Sequence, residues 1–321
     1  MLNVADLEAA SELVYATMGG PTPAYAWPLL AKRAGCEVWV KHENHTPIGA
    51  FKVRGGLVYM DHLVRSGENV DGVISATRGN HGQSIALAAR KAGVRAVIYV
   101  PEGNSVEKNA AMQAFGAELV VHGRDFDEAA AACKIAAVER GLHMVPSFDP
   151  LLIKGVATYS LEFFRQAPTL DVVYVPIGMG SGICGMIAAR DALDLKTEIV
   201  GVVAEGAPAV ALSLEAGHPV PTNEARTFAD GMACREPHPG ALDIIKRGAA
   251  RVVRVSDDDI ASAMRAYYED THNLAEGAGA APLAALLAEK SGLQGKTAGV
   301  VLSGGNIDRS VYAAVLDGRT P

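Results

Sequence analysis

Residues 72–100 read GVISATRGNHGQSIALAARKAGVRAVIYV. The apolar, β-branched run GVISA ends in a Gly-containing turn, an Ala/Leu-rich stretch follows at helical period, and a second β-branched run, RAVIYV, closes the unit. A strand, a helix and a strand within about thirty residues predict a βαβ crossover and a parallel sheet. The alternation continues downstream, with a helix over 105–115, a strand at 118–121 (ELVV), a helix over 126–140 and a short strand at 143–145. It stops at SFDP, residues 147–150.

A second series begins further on. Strands are expected at 172–175 (VVYV), 198–202 (EIVGV), 252–255 and 298–302 (AGVVL), and helices at 182–193, 207–216, 257–269 and 278–291. These strands are almost wholly apolar, as strands covered on both faces are. Residues 218–250, rich in His, Pro and Gly, show no clear period. The first twenty residues, which carry Asp6, Glu8 and Glu12 among apolar positions, form an amphipathic helix rather than a signal peptide.

Composition narrows the class of molecule. The 321 residues are 49% hydrophobic and 20% charged with a net charge of −7, an ordinary balance for a soluble enzyme and a poor one for a nucleic-acid or anionic-membrane partner. No apolar run reaches the ~18 residues of a membrane span. Cys36, Cys133, Cys184 and Cys234 are widely separated, without metal-ligand spacing, and read as reduced thiols of a cytoplasmic protein.

Ligands of open α/β sheets bind beyond the carboxyl ends of strands, so the turns there carry the chemistry. PIGMGSGICG, 176–185, places Gly178, Met179, Gly180, Ser181 and Gly182 between a strand and a helix, where free amides favour an anion. The loop reads as a phosphate site, as half of a dinucleotide fingerprint or as a plain tight turn. No acidic residue closes the next strand to bind a ribose, which weighs against the second. TRGNHGQS, 77–84, is a second candidate anion site built on Thr77, or a helix cap, with Asn80 able to bond a phenolic oxygen; His81 alone reads as a structural histidine. Ser303 in VLSGGNID, 301–308, ends a strand where its hydroxyl could meet a ring nitrogen. Glu276 in HNLAEGAGAA, 272–281, precedes a helix whose dipole it would favour. Lys52 stands in TPIGAFKVRGG, 46–56, beside Phe51 and two small residues. Burial would make its amine a nucleophile toward carbonyls, and exposure would make it an ordinary surface lysine.

These segments, in this order, resemble the threonine/serine dehydratases and serine racemases over nearly the whole chain. The resemblance rests on GAFKVRG, TRGNHGQS, PIGMGSG and SGGNID, with TFADGMACREP (227–237) and EGAGAA also matching. It implies the α/β tryptophan-synthase-β-like fold (fold type II), with two open twisted sheets flanked by helices. It divides the chain into a large cofactor-binding domain (1–50 and 150–321) and a small mobile domain (51–149). The implied cofactor is pyridoxal 5′-phosphate, held by Lys52 as a Schiff base and contacted by Phe51, Asn80, Ser303 and Gly178 to Gly182. Lys52 would also be the base at the substrate Cα, and Thr77, Arg78, Gly79 and His81 would contact the substrate.

The implied reaction is dehydration of an L-3-hydroxy amino acid, threonine or serine or a bulkier one such as L-threo-3-phenylserine, to a 2-oxo acid and ammonia. A neutral Ser303 at the ring nitrogen suits loss of the β-hydroxyl. The alternatives are 3-hydroxyaspartate dehydration and racemisation. Arg78 occupies the position of the racemases' second serine, and a guanidinium is a poor proton acceptor; it could instead pair with a second substrate carboxylate or lie over an aromatic substituent. Val203 and Ala209 replace two acids of the relatives' divalent-metal site, leaving Glu205 alone, so no divalent metal is expected there, and a monovalent ion stays open. The chain ends at Pro321 without a regulatory domain, so feedback control is not expected. A homodimer is the family-level expectation.

Overall fold

The computed structural model describes residues 2–67 and 70–321. In chain order the elements are α1 (Val4–Met18), β1 (Ala24–Ala26), α2 (Pro28–Ala34), β2 (Glu37–His42), α3 (Lys52–Arg65), β3 (Val73–Ala76), α4 (Asn80–Ala92), β4 (Ala96–Val100), α5 (Val106–Ala114), β5 (Glu118–Val121), α6 (Phe126–Glu139), β6 (His143–Met144) and α7 (Pro150–Gln166). There follow β7 (Val172–Pro176), α8 (Ser181–Ala192), β8 (Glu198–Ala204), α9 (Ala209–Ala216), α10 (Pro239–Gly248), β9 (Arg251–Val255), α11 (Asp257–Thr271), α12 (Gly277–Ala288), β10 (Thr297–Leu302) and α13 (Arg309–Leu316). Both expected sheets form. The smaller runs β5-β4-β3-β6, all parallel, and the larger runs β1-β2-β10-β7-β8-β9, parallel except for β1 against β2.

Alternation of side chains builds two apolar layers on each sheet. In β7, Val172 and Tyr174 join the core beneath α11 and α12, while Val173 and Val175 join the one beneath α7 and α8. In the small sheet, Val73 and Ile98 face one cluster and Ile74 and Val97 the other. Strands buried on both sides need apolar residues at every position, hence the unbroken runs in the sequence.

Two features differ from the expectation. Residues 147–150 end the alternating series but also start α7: the Asp149 side chain accepts from Leu151 N at 2.7 Å and Pro150 takes the first helical position, where its missing N–H costs nothing. The aperiodic stretch 218–250 contains α10, entered in the same way through His238 and Pro239.

Candidate active site

The turns after β3, β7 and β10 converge on one cleft. It is lined by Phe51, Lys52, Thr77 to His81, Gly178 to Gly182 and Ser303, so the thirteen residues singled out in the sequence line a single cavity. Lys52 opens α3, and close backbone packing holds that helix. A Cβ added at Gly55 would lie 2.9 Å from Leu152 O on α7, and one at Gly56 would lie 2.2 Å from Ser84 Oγ on α4. Ser84 Oγ also donates to Lys52 O at 2.6 Å. The glycine pair in KVRGG therefore serves a helix wedged between two others.

The Lys52 amine lies 3.1 Å from Ser181 Oγ and 5.0 Å from the centre of the Phe51 ring. Burial lowers its pKa to about 8, against an opposing pull from the Glu276 carboxylate. Ser181 starts α8, and its N-cap, Gly180, has φ +98° and offers no side-chain acceptor. Gly79 caps α4 in the same uncapped way. Two helix N-termini thus direct unshared amides toward the cleft.

The small residues of the loop after β7 are required by the packing: a Cβ at Gly178 would stand 2.2 Å from Gly231 O, and one at Gly180 would stand 2.8 Å from Ala241 Cβ. Met179 lies beside Cys234, sulfur to sulfur at 3.6 Å. Within the turn after β3, Thr77 Oγ1 accepts from Gly79 N at 3.0 Å, so that hydroxyl shapes the turn instead of capping the helix. Arg78 is exposed at the cleft, and its guanidinium makes no hydrogen bond or ion pair among the described residues.

His81 and Glu276 depart from the structural roles their sequence positions suggested. His81 Nε2 is buried without a hydrogen-bond partner, and burial, aided by the nearby Lys52 charge, lowers its pKa to about 3, so the ring is neutral. Glu276 is the N-cap of α12 yet does not bond that helix's amides. Its Oε1 accepts from Asn80 Nδ2 at 2.7 Å, and its Oε2 is buried without a hydrogen-bond partner, 3.6 Å from Lys108 Nζ. Burial pushes its pKa up to about 7, with Lys108 pulling down and Asp230 pushing up. Asn80 Oδ1 is held in turn by Asn306 Nδ2 at 2.8 Å.

The sequence reading missed Lys108 and Asp230. Lys108, on α5, is 5% exposed, bonds Asp230 Oδ2 at 2.6 Å and runs beneath Gly79, where a Cβ would meet its Cδ at 2.5 Å. In the sequence it stands beside Glu107 on a short, Ala-containing helix, with no local sign that it turns inward.

A profile described as "Pyridoxal-phosphate dependent enzyme" matches residues 15–304. The chain belongs to this family. It is 39% identical over 289 residues to an L-threonine ammonia-lyase of Geobacter sulfurreducens, covering 89% of this chain and 71% of that one. It is 32% identical over 318 residues to an L-threonine ammonia-lyase of Thermotoga maritima, covering 99% and 79%. Among solved structures, the processed form of threonine deaminase isoform 2 from Solanum lycopersicum superposes with a TM-score of 0.91 at 31% identity, covering 98% of this chain and 91% of that one. The protein is accordingly a pyridoxal-phosphate dependent lyase of the threonine/serine dehydratase class with the expected type II fold. Its cleft fits that cofactor: a lysine with a depressed pKa, a glycine cradle with no room for side chains, uncapped helix amides for a phosphate, and an unpartnered buried histidine nitrogen.

No described helix is long and apolar enough to cross a membrane, and no three His, Cys, Asp or Glu side chains among the described residues are grouped to hold a metal.

Proposed function

We propose that the protein dehydrates L-3-hydroxy amino acids, threonine and serine first and bulkier ones such as L-threo-3-phenylserine where the open mouth near Phe126 and Arg78 admits them. The observation that carries this reading is the Lys52 amine, 3.1 Å from Ser181 Oγ, with a pKa lowered to about 8. Pyridoxal phosphate supplies the electron sink for bond breaking at the substrate Cα.

The chain's own residues do the rest. Lys52 would hold the cofactor through its amine and would take the proton from the substrate Cα, a task suited to an amine poised near neutral pH. The amides of Gly178 to Gly182 and the Ser181 hydroxyl would hold the phosphate. Phe51 would flank the ring, Asn80 would bond its phenolic oxygen through the N–H that Glu276 leaves free, and Ser303 would meet the ring nitrogen as a neutral partner. Thr77, Gly79 and His81 form the turn that receives the substrate carboxylate. The Gly79 amide is engaged by Thr77, so the remaining amides at the start of α4 carry most of that contact.

Arg78 favours a second reading, 3-hydroxyaspartate dehydration, because an exposed guanidinium without an internal partner is available to a second carboxylate. Racemisation would require a second proton carrier opposite Lys52, a role to which Arg78 is unsuited. The small unit, 51–149, closes over the substrate in this reading, and the enzyme acts as a cytoplasmic homodimer.

The test is to incubate the holoenzyme with L-threonine, L-serine, L-threo-3-phenylserine and 3-hydroxyaspartate and measure 2-oxo acid and ammonia, with Lys52→Ala and Arg78→Ala alongside. Turnover abolished by Lys52→Ala supports the lyase. Turnover of 3-hydroxyaspartate alone, lost in Arg78→Ala, would move the assignment to the second reading. Racemisation without 2-oxo acid would overturn both.

A further inference from the structure

Arg54 lies two residues beyond Lys52 on the first turn of α3, with its side chain fully buried. Every guanidinium nitrogen is engaged. Nε donates to Glu43 Oε2 at 2.7 Å, Nη1 to Glu162 Oε1 at 2.6 Å and Thr158 Oγ1 at 3.0 Å, and Nη2 to Glu43 Oε1 at 2.9 Å, Glu162 Oε2 at 2.9 Å and Thr22 Oγ1 at 3.2 Å. Lys41 completes the group, with Nζ 2.6 Å from both Glu162 Oε2 and Thr22 O and 3.0 Å from Gln166 Oε1. Two cations and two carboxylates balance in a region closed to water.

A buried ion cluster of this kind is not a general route to stability, because desolvation offsets most of the attraction and apolar residues of the same volume serve as well. Its placement is what matters here. Glu43 follows β2 directly and Arg54 sits in the first turn of α3, so the bidentate pair closes the base of the loop 44–53 that ends in Phe51 and Lys52. The far side of that loop is sewn to the turn after β10: Phe51 N donates to Ser303 O at 3.0 Å, Gly305 N to Gly49 O at 2.9 Å and Asn306 Nδ2 to Ile48 O at 2.7 Å. A planar guanidinium against a carboxylate fixes direction as well as distance, which a lysine in the same place would not.

We propose that Glu43 and Arg54 are positioning residues for Lys52, their paired forks clamping the loop so that the amine is presented at one fixed place in the cleft. This rests on the reading of Lys52 as the cofactor-binding lysine. Lys41 belongs to the same cluster but lies outside the loop, and its ammonium bonds Glu162, Thr22 and Gln166 and neither Glu43 nor Arg54. It is the internal control, because its loss weakens the cluster without opening the clamp.

The experiment uses the full chain freed of cofactor. Pyridoxal phosphate is added between pH 6 and 10, the rate of capture is followed by absorbance, and melting temperature is measured on the same samples. Glu43→Gln and Arg54→Lys are expected to slow capture roughly tenfold or more, since a misplacement of about an ångström is enough. Their pH midpoint for capture should also move upward as the loosened amine gains water. Lys41→Met should lower the melting temperature while leaving capture rate and midpoint as in the wild type. Should Arg54→Lys fail to fold, Glu43→Gln, which keeps an acceptor in place, decides alone.

Wild-type capture by Glu43→Gln, or equal slowing by Lys41→Met, would overturn the clamp. Lys52→Ala should capture nothing. Normal capture by that variant would instead overturn the reading of the site itself, and the clamp with it.

Discussion

Asn80 Nδ2 donates to Glu276 Oε1 at 2.7 Å across 196 residues of chain, and the second oxygen of the same carboxylate has no hydrogen-bond partner. The pair joins the first turn of α4, beside the small sheet, to the start of α12, against the large one. A carboxyl so placed is protonated more readily than its unfolded counterpart. Between pH 4.5 and about 7 the folded chain keeps a proton that the unfolded chain has released, so this group's contribution to stability falls as pH rises through that window. In the cofactor-free protein, Glu276→Gln should flatten that slope, by on the order of 1–3 kcal/mol between pH 5 and 8. Thermal unfolding of both proteins at several pH values measures it; parallel curves would count against a raised pKa.

If Lys52 is the cofactor-binding lysine, as proposed, it sets the pH dependence of cofactor capture. With its pKa lowered to about 8 from 10.5, the free-amine fraction should rise about tenfold per pH unit below 8 and level off above it. A capture rate still climbing at pH 10 would show an ordinary lysine.

The glycines of the loop after β7, the proposed phosphate site, should resist substitution. A methyl at Gly178 has the Gly231 carbonyl in its way, and one at Gly180 adds a strained positive φ to contact with Ala241. Gly180→Ala should cost about 1–3 kcal/mol of stability from backbone strain, and both variants should weaken cofactor affinity in an absorbance titration. Unchanged affinity would place the phosphate elsewhere.

Lys108→Met removes the cation that lies between Asp230 and Glu276. Breaking a largely buried pair should destabilise the protein by about 2 to 4 kcal/mol. The Glu276 midpoint should climb further, since the Lys108 charge is the strongest influence holding it down. A titration of the variant's stability against pH reads both effects, and an unmoved midpoint would show the two groups to be uncoupled.

Strands β3, β4, β7, β8 and β10 were legible because burial on both faces leaves an unbroken apolar run, whereas the short, half-exposed β1 leaves none. The turns after β3, β7 and β10 were legible because tight strand exits and uncapped helix starts demand small residues in sequence order. Lys108 and the Glu43–Arg54 pair were not, because their partners come from distant segments and nothing local marks a charged residue as buried. Glu276 was visible as a carboxylate before a helix, but only the fold shows it turned away from that helix toward Asn80. Helix α7 was hidden because its Asp-Pro start also punctuates the end of the preceding unit.

The contacts of α3 carry a consequence for how this enzyme can vary. Gly55 meets α7 at Leu152, Gly56 meets α4 at Ser84, and Gly155 of α7 would place a Cβ 2.3 Å from Arg54 O. A single methyl at any of these three sites has nowhere to go unless a neighbouring segment gives way, so a change in bulk there becomes a displacement of the amine. The reach of Lys52 is therefore inherited from the spacing of three helices, whereas Arg78, exposed at the cleft and without a hydrogen bond or ion pair among the described residues, can change without moving the lysine.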